Sequence, residues 1–245
     1  MFSIDFETRS AVDLKKCGAW RYFEDDTADV LCAAYALDDG PVRTWRKGQP
    51  CPAEVREHIL SGGSLAAWNA QFEAWAFMLV LGPRYGWPVP RPEQWIDTMA
   101  QAAAMSIPQS LAGAASALGL DEQKDKEGGR LIRKFSLPRK PKKDETDGLY
   151  WNEPEDHPVD FQKFVEYCAQ DVVVERKIRT LLVPLSPDEQ NVWTFNFVMN
   201  TRGVLLDLDL VAERAGARAR ASTAAVGCRC WRSRLQLRAS SRLRR

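Results

Sequence analysis

Residues 3–8, Ser-Ile-Asp-Phe-Glu-Thr, alternate in polarity and read as a strand near the start of the chain. Ile4 and Phe6 fall on one face, Asp5 and Glu7 on the other. Same-face neighbours on a strand lie about 7 Å apart. Two carboxylates at that spacing repel each other and lose hydration if the face is covered. Two arrangements accommodate them: an edge strand with a wet face, or a covered strand whose acids meet something positive.

The chain has 245 residues, 45% hydrophobic and 27% charged, enough for one large domain or one domain plus a fragment. It has no run of eighteen apolar residues, so no membrane span is expected. An acid stands at position 5, and no basic segment leads into an apolar one, so a secretory leader is not expected. Cysteines 17, 32, 51, 168, 228 and 230 form no CxxC pair and read as reduced thiols in a cytoplasmic protein. The net charge of +1 hides an asymmetry: ten arginines and no acid or lysine lie between Arg214 and the end. Residues 1–213 hold 24 basic against 33 acidic residues, about −9.

Strands are expected at 2–8, 29–37, 42–45 and 65–68, and helices at 53–60, 72–81, 98–105, 111–118, 130–135 and 160–182. Gly82-Pro83 reads as the stop of the helix at 72–81, and 86–95 as a loop. Ser110 is placed to cap the helix at 111–118. In the longest helix Phe161, Phe164, Val165, Cys168, Val172 and Ile178 fall near one stripe. The order predicts an α/β fold with a mixed sheet. Ser186-Pro187-Asp188-Glu189 starts a further helix running to Gly203. Residues 216–245 lack periodicity and are expected to be poorly ordered.

Two later stretches supply partners for Asp5 and Glu7. In LAAWNAQFEAW, residues 65–75, Asn69 ends a strand and Glu73 sits on the first turn of a helix. In EYCAQDVVVE, residues 166–175, Tyr167 and Asp171 share a helix face. Packed beside the first strand, these helices would bring four carboxylates together. Four carboxylates do not all stay ionised without cations, and hard divalent ions with oxygen ligands, Mg²⁺ or Mn²⁺, suit them. Two such ions make a centre that cleaves phosphodiesters.

DFE at 5–7, NAQFE at 69–73 and YCAQD at 167–171 resemble, in order and spacing, the three motifs of the DEDD superfamily of 3′–5′ exonucleases, the DnaQ-like members of the ribonuclease H-like fold. The resemblance covers about residues 1–182 and implies a ribonuclease H-like mixed β-sheet flanked by helices. It implies that Asp5 bridges two metal ions, that Glu7 and Asp171 complete the hydrolytic site, that Glu73 serves the second ion, and that Tyr167 positions the attacking water. Asn69 is implied in holding the substrate strand or the local backbone; Phe6, between the acids, reads as core. The family usually has Asp where Glu73 stands and often His where Trp68 stands, so the longer carboxylate shifts the geometry at the second ion.

Residues 3–45, 121–140 and 185–211 resemble more specifically phage and prophage DNA polymerases of family A, in which such an exonuclease domain precedes the polymerase. The expectation is therefore an exonuclease domain at 1–182, a helical fragment of the start of a polymerase domain at 183–215, and a basic tail at 216–245 from a truncated or frame-shifted end. The expected activity is proofreading-type removal of nucleotides from single-stranded DNA 3′ ends, with replication proteins as possible partners. The alternatives are an RNA 3′–5′ exonuclease of the same superfamily and an inactive DNA-binding or scaffold domain. Nine Lys or Arg lie at 124–143, among them Lys124, Arg130, Arg133 and Lys134, and read as a guide for the substrate backbone or as a solvated loop. Trp75 and Trp87 are considered for base stacking and assigned to the core; His58 and His157 read as surface residues.

Overall fold

The computed structural model describes residues 1–120, 127–143, 145–146, 148–212 and 214; the expected tail at 216–245 lies outside them. The chain begins with β1 (Phe2–Arg9), α1 (Leu14–Glu24), β2 (Asp29–Leu37), β3 (Arg43–Arg46), α2 (Ala53–Leu60) and β4 (Leu65–Ala67). It continues through α3 (Ala70–Ala76), a π-helical turn over Phe77–Leu81, α4 (Gly82–Tyr85), β5 (Trp95–Asp97), α5 (Thr98–Ala104) and α6 (Leu111–Ala117). The last described helices are α7 (Gly128–Phe135), α8 (Pro158–Leu181) and α9 (Pro187–Arg202).

The five strands form one mixed sheet in the order β3-β2-β1-β4-β5. β2 pairs with β1 and β3 in antiparallel, while β4 runs parallel to both β1 and β5. β1 is therefore central, and the edge-strand arrangement with a wet face is excluded. Phe2, Ile4 and Phe6 point into one cluster with Phe77, Trp87 and Trp95. On the opposite face, α8 lays Phe161, Phe164, Val165, Cys168 and Val172 against Leu31, Cys32, Ala34 and Ala36 of β2. Alanines on that strand let the helix axis approach closely, which brings α8 over Asp5 and Glu7.

α7 covers the outer flank of α8. Leu131 and Phe135 are fully buried there, and Phe135 stacks on Phe164 with centroids 5.5 Å apart. Ion pairs reinforce the contact: Glu127 with Lys163 at 3.1 Å, Arg130 with Asp160 at 3.1 Å, and Lys134 with Asp160 at 2.6 Å. Hydrogen bonds from Arg130 and Lys134 hold the Asp160 carboxyl well below the usual range. A depressed folded-state pKa contributes stability above the unfolded value, near pH 4, and loses it as the pH falls toward the folded value. Asp160→Asn is therefore expected to lower the Tm at pH 7, with the difference shrinking in melts run below about pH 4.

α9 begins with the expected capping box: Glu189 N–H donates to Ser186 Oγ at 3.3 Å, and Ser186 N–H to Glu189 Oε2 at 2.9 Å. Its inner face docks on the domain through the stacked rings of Trp193 and Phe197. Trp75 Nε1 donates to Thr201 Oγ1 at 3.0 Å, which ties α9 to α3. The outer residues Val192, Phe195, Val198 and Met199 are exposed.

Several expectations are corrected. The helix begun at Ala70 does not stop at Gly82-Pro83. It passes through the π turn into α4 and ends at Gly86, which has φ +66°. Pro83 sits in the first turn of α4, where a missing N–H costs little. α1 was not expected because Leu14–Glu24 carries no apolar stripe and is kinked at Gly18, φ +74°; Asp13 caps it, and Tyr22 and Phe23 anchor it. β5 ends the stretch read as a loop at 86–95; its three residues are too few to show alternation, and its register comes from β4. His58 is half-buried, stacked on Phe2, with Nε2 2.9 Å from the Ser64 carbonyl. Cys32, Cys51 and Cys168 are free thiols. Among the described residues no helix is long and apolar enough to cross a membrane.

Candidate metal centre

The site forms where β1 passes under α8. One carboxylate oxygen each from Asp5, Glu7 and Asp171 lie within 4.8 Å of one another. The alternation of β1 aims both of its acids at α8, and a bulge between Glu7 and Thr8 breaks the pairing with β2 just beyond them. The i,i+4 spacing on α8 stacks Tyr167 above Asp171, so the phenol lies beside the acid cluster and feels the Asp171, Glu7 and Asp5 charges. Cys168, the next residue, donates its thiol to Asp5 Oδ2 at 3.4 Å.

The electrostatics follow from that crowding. Burial, then the Asp171 charge, pushes the Asp5 carboxyl well up, against the pull of the Cys168 hydrogen bond. Burial, then Asp5, does the same to Glu7. The Tyr167 phenol is raised above its ordinary value by burial and then by Asp171, Glu7 and Asp5, so it keeps its proton at neutral pH. Among the described residues no lysine or arginine pairs with Asp5 or Glu7. The donor set fits a divalent cation. All three groups offer hard oxygens, and oxygens on opposite sides of a Mg²⁺ lie about 4.2 Å apart, so at most a small closure is needed.

Glu73 stands apart from the trio, so three of the four expected carboxylates meet. It is nonetheless 3% exposed, and its Oε2 has no hydrogen-bond partner. Burial, then the charge of Asp5, raises its pKa, so it faces the same region from α3. Asn69 caps α3 in the left-handed conformation, φ 66° and ψ 53°, a region uncommon for residues other than glycine. That turn sets the direction in which Glu73 leaves the sheet.

Asp97 joins α5 to α9 and was not anticipated. It is buried at the end of β5, where its carboxylate accepts from Ala100 N–H at 3.1 Å and from Trp193 Nε1 at 3.1 Å. The sequence signal was an Asp directly before the helical run TMAQAAA, an N-cap pattern. Glu175, one turn beyond Asp171, is also buried; it accepts from Thr98 Oγ1 at 2.5 Å and from Arg179 Nε at 3.1 Å, and its charge adds to the upward push on Asp5.

Of the residues expected to guide a substrate backbone, Lys124 lies outside the described residues. Arg130 and Lys134 point into their pairs with Asp160. Arg133 is exposed and makes no ion pair among the described residues, and Lys140, Lys142 and Lys143 are exposed. Trp87 is buried and Trp75 half-buried, both in the core cluster.

A five-stranded mixed sheet flanked by helices, with the acids of its central strand under a long helix, makes this an α/β protein of the ribonuclease H-like arrangement. No family model matches the chain. Over 218 residues it is 40% identical to the DNA polymerase of Bacillus phage SP02, a match covering 85% of this chain and 32% of that protein. The similarity relates the chain to a phage DNA polymerase, of whose length it spans about a third.

Proposed function

We propose that the chain is a metal-dependent 3′–5′ exonuclease acting on single-stranded DNA ends, the proofreading-type unit of a family A polymerase. The observation that carries this reading is the convergence of Asp5, Glu7 and Asp171, with the Tyr167 phenol one helical turn from Asp171. The similarity to a phage polymerase supports the substrate class. On this reading residues 1–182 are the exonuclease unit and 183–215 the beginning of a polymerase part.

Asp5, Glu7 and Asp171 would hold one divalent ion, and Asp5 with Glu73 a second, Mg²⁺ or Mn²⁺ in each case. When bound, the ions supply a water of lowered pKa and positive charge for the phosphate. The protein does the rest by placement. Tyr167 keeps its proton, so it serves as a hydrogen-bond partner that orients the attacking water and not as its base. Water oxygen bonds to the terminal phosphorus, the bond from phosphorus to the 3′ oxygen breaks, and a nucleoside 5′-monophosphate leaves. Asn69, at the turn before Glu73, borders the path of the strand. The exposed cations Arg133, Lys140, Lys142 and Lys143 oppose the repulsion of phosphate by an otherwise acidic body, so binding should weaken steeply with salt.

Matched DNA and RNA oligonucleotides, labelled at the 5′ or the 3′ end, test the polarity and the sugar. The expected result is a ladder from 5′-labelled single-stranded DNA with Mg²⁺, and immediate release of labelled mononucleotide from the 3′-labelled strand. Faster cleavage of RNA would replace the substrate assignment. Cleavage from the 5′ end, or within the strand, would overturn the reading.

A further inference from the structure

Tyr167 does not stand free over the carboxylates. The first residue of α7, Gly128, lies against its ring. A Cβ built on Gly128 would fall 2.3 Å from Tyr167 Cε2, 2.6 Å from Cδ2 and 2.8 Å from Cζ. Real carbon contacts are never so short, so no other residue fits there while the ring keeps its place. Neither backbone conformation nor helix propensity explains the glycine. Gly128 is absent from the positive-φ residues, so any residue could adopt its backbone, and alanine would favour the helix more. Gly129, the next residue, makes the contrast: its added Cβ would meet only Arg133 Nη1, at an ordinary 3.8 Å.

The approach is braced on both sides. Glu127, immediately before Gly128, pairs with Lys163, one turn before Tyr167. Arg130 and Lys134 pair with Asp160, and Leu131 and Phe135 are buried against α8. The start of α7 is thereby pressed onto the ring of Tyr167, one helical turn from Asp171.

We propose that Gly128 is a positioning residue: lacking a side chain, it lets the first turn of α7 close on the Tyr167 ring and fix where the phenol oxygen lies relative to Asp171 and the attacking water. The inference rests on the exonuclease reading for its catalytic consequence and on the structure alone for the placement of the ring. It also gives the ion pairs of Arg130 and Lys134 a role in the site, through the clamp between α7 and α8.

The test is a double-mutant cycle on the full chain. Gly128→Ala is expected to lower kcat on single-stranded DNA about 10- to 100-fold, the scale of a misplaced reacting group, with KM and Mn²⁺ affinity little changed. Gly129→Ala, which adds the same methyl to open space, should cleave at the wild-type rate. Tyr167→Phe should itself lower kcat, and Gly128→Ala added to it should lower kcat less than about twofold further, because the hydroxyl it displaces is already gone. Losses that multiply would overturn the proposal, as they would mean that the glycine acts through general packing. Wild-type kcat in Gly128→Ala would overturn it too.

A second readout needs no activity. In protein labelled with 3-fluorotyrosine, the Tyr167 resonance, identified by its loss in Tyr167→Phe, should move in Gly128→Ala and stay in Gly129→Ala. An unmoved resonance overturns the placement. A wild-type protein that folds but leaves DNA intact overturns the exonuclease reading, while the resonance still decides what Gly128 does.

Discussion

Asp5→Asn is expected to abolish cleavage and, in the same protein without metal, to raise the melting temperature. The two effects have one cause. Asp5 lies within 4.8 Å of two other carboxylate groups and is pushed up by burial and by Asp171. For a carboxyl whose folded pKa is raised, the folded state holds protons that the unfolded state has released, so stability falls as the pH climbs above the unfolded value. At neutral pH the crowded carboxyl is a burden that asparagine removes. Each kcal/mol relieved should appear as roughly 2–4 °C in a chain of this size. The loss of activity should exceed about 10³-fold, the scale of removing a member of a concerted site. Melts at pH 7 in EDTA, and again with Mg²⁺, check the pair of signs. Mg²⁺ should stabilise the wild type and leave Asp5→Asn nearly unmoved. A variant that melts lower than wild type in EDTA would contradict the crowding account.

Asp97→Ala is expected to be the most damaging change outside the acid cluster. It removes the cap of α5 and strips an acceptor from Trp193 Nε1 on α9. A lost cap costs about 1 kcal/mol and each buried donor left without a partner about 1–3 kcal/mol, so a loss of about 3 kcal/mol follows. Asp97→Asn, which keeps an acceptor oxygen, should recover much of the stability. Chemical denaturation of the two variants decides it; equal stabilities for Asp97→Ala and wild type would show that α5 and α9 hold without this contact.

The readable parts of this fold are those where one residue type at one spacing has one outcome. Asp5 and Glu7 alternate with Ile4 and Phe6, so their shared face was fixed by the strand period, and the apolar stripe of α8 fixed which side that helix buries. The meeting of Asp171 with β1 follows once both elements are placed. What stayed hidden depends on tertiary partners. β5 is three residues long and exists because β4 offers a parallel edge. α1 is held by two aromatic anchors and a cap, with no stripe to announce it. The helix from Ala70 runs past Gly82-Pro83 because a π turn resets its register, which no local propensity encodes. Gly128 is one of two adjacent glycines before a basic run, and only the ring of Tyr167 in space tells it from Gly129. Arg130 and Lys134 carried the charge expected of a phosphate guide, but Asp160, 26 to 30 residues away in sequence, takes both.

The most direct measurement pairs metal loading with cleavage in one sample. Wild type and Asp5→Ala are titrated with Mn²⁺, free ion is followed by electron paramagnetic resonance, and aliquots are tested on 5′-labelled single-stranded DNA. The account predicts two bound ions in wild type, a 3′-shortening ladder that grows with their occupancy and vanishes in EDTA, and neither tight binding nor ladder in Asp5→Ala. Folded wild type that binds no Mn²⁺ at millimolar concentration, or that fills its sites and leaves the DNA whole, would contradict it.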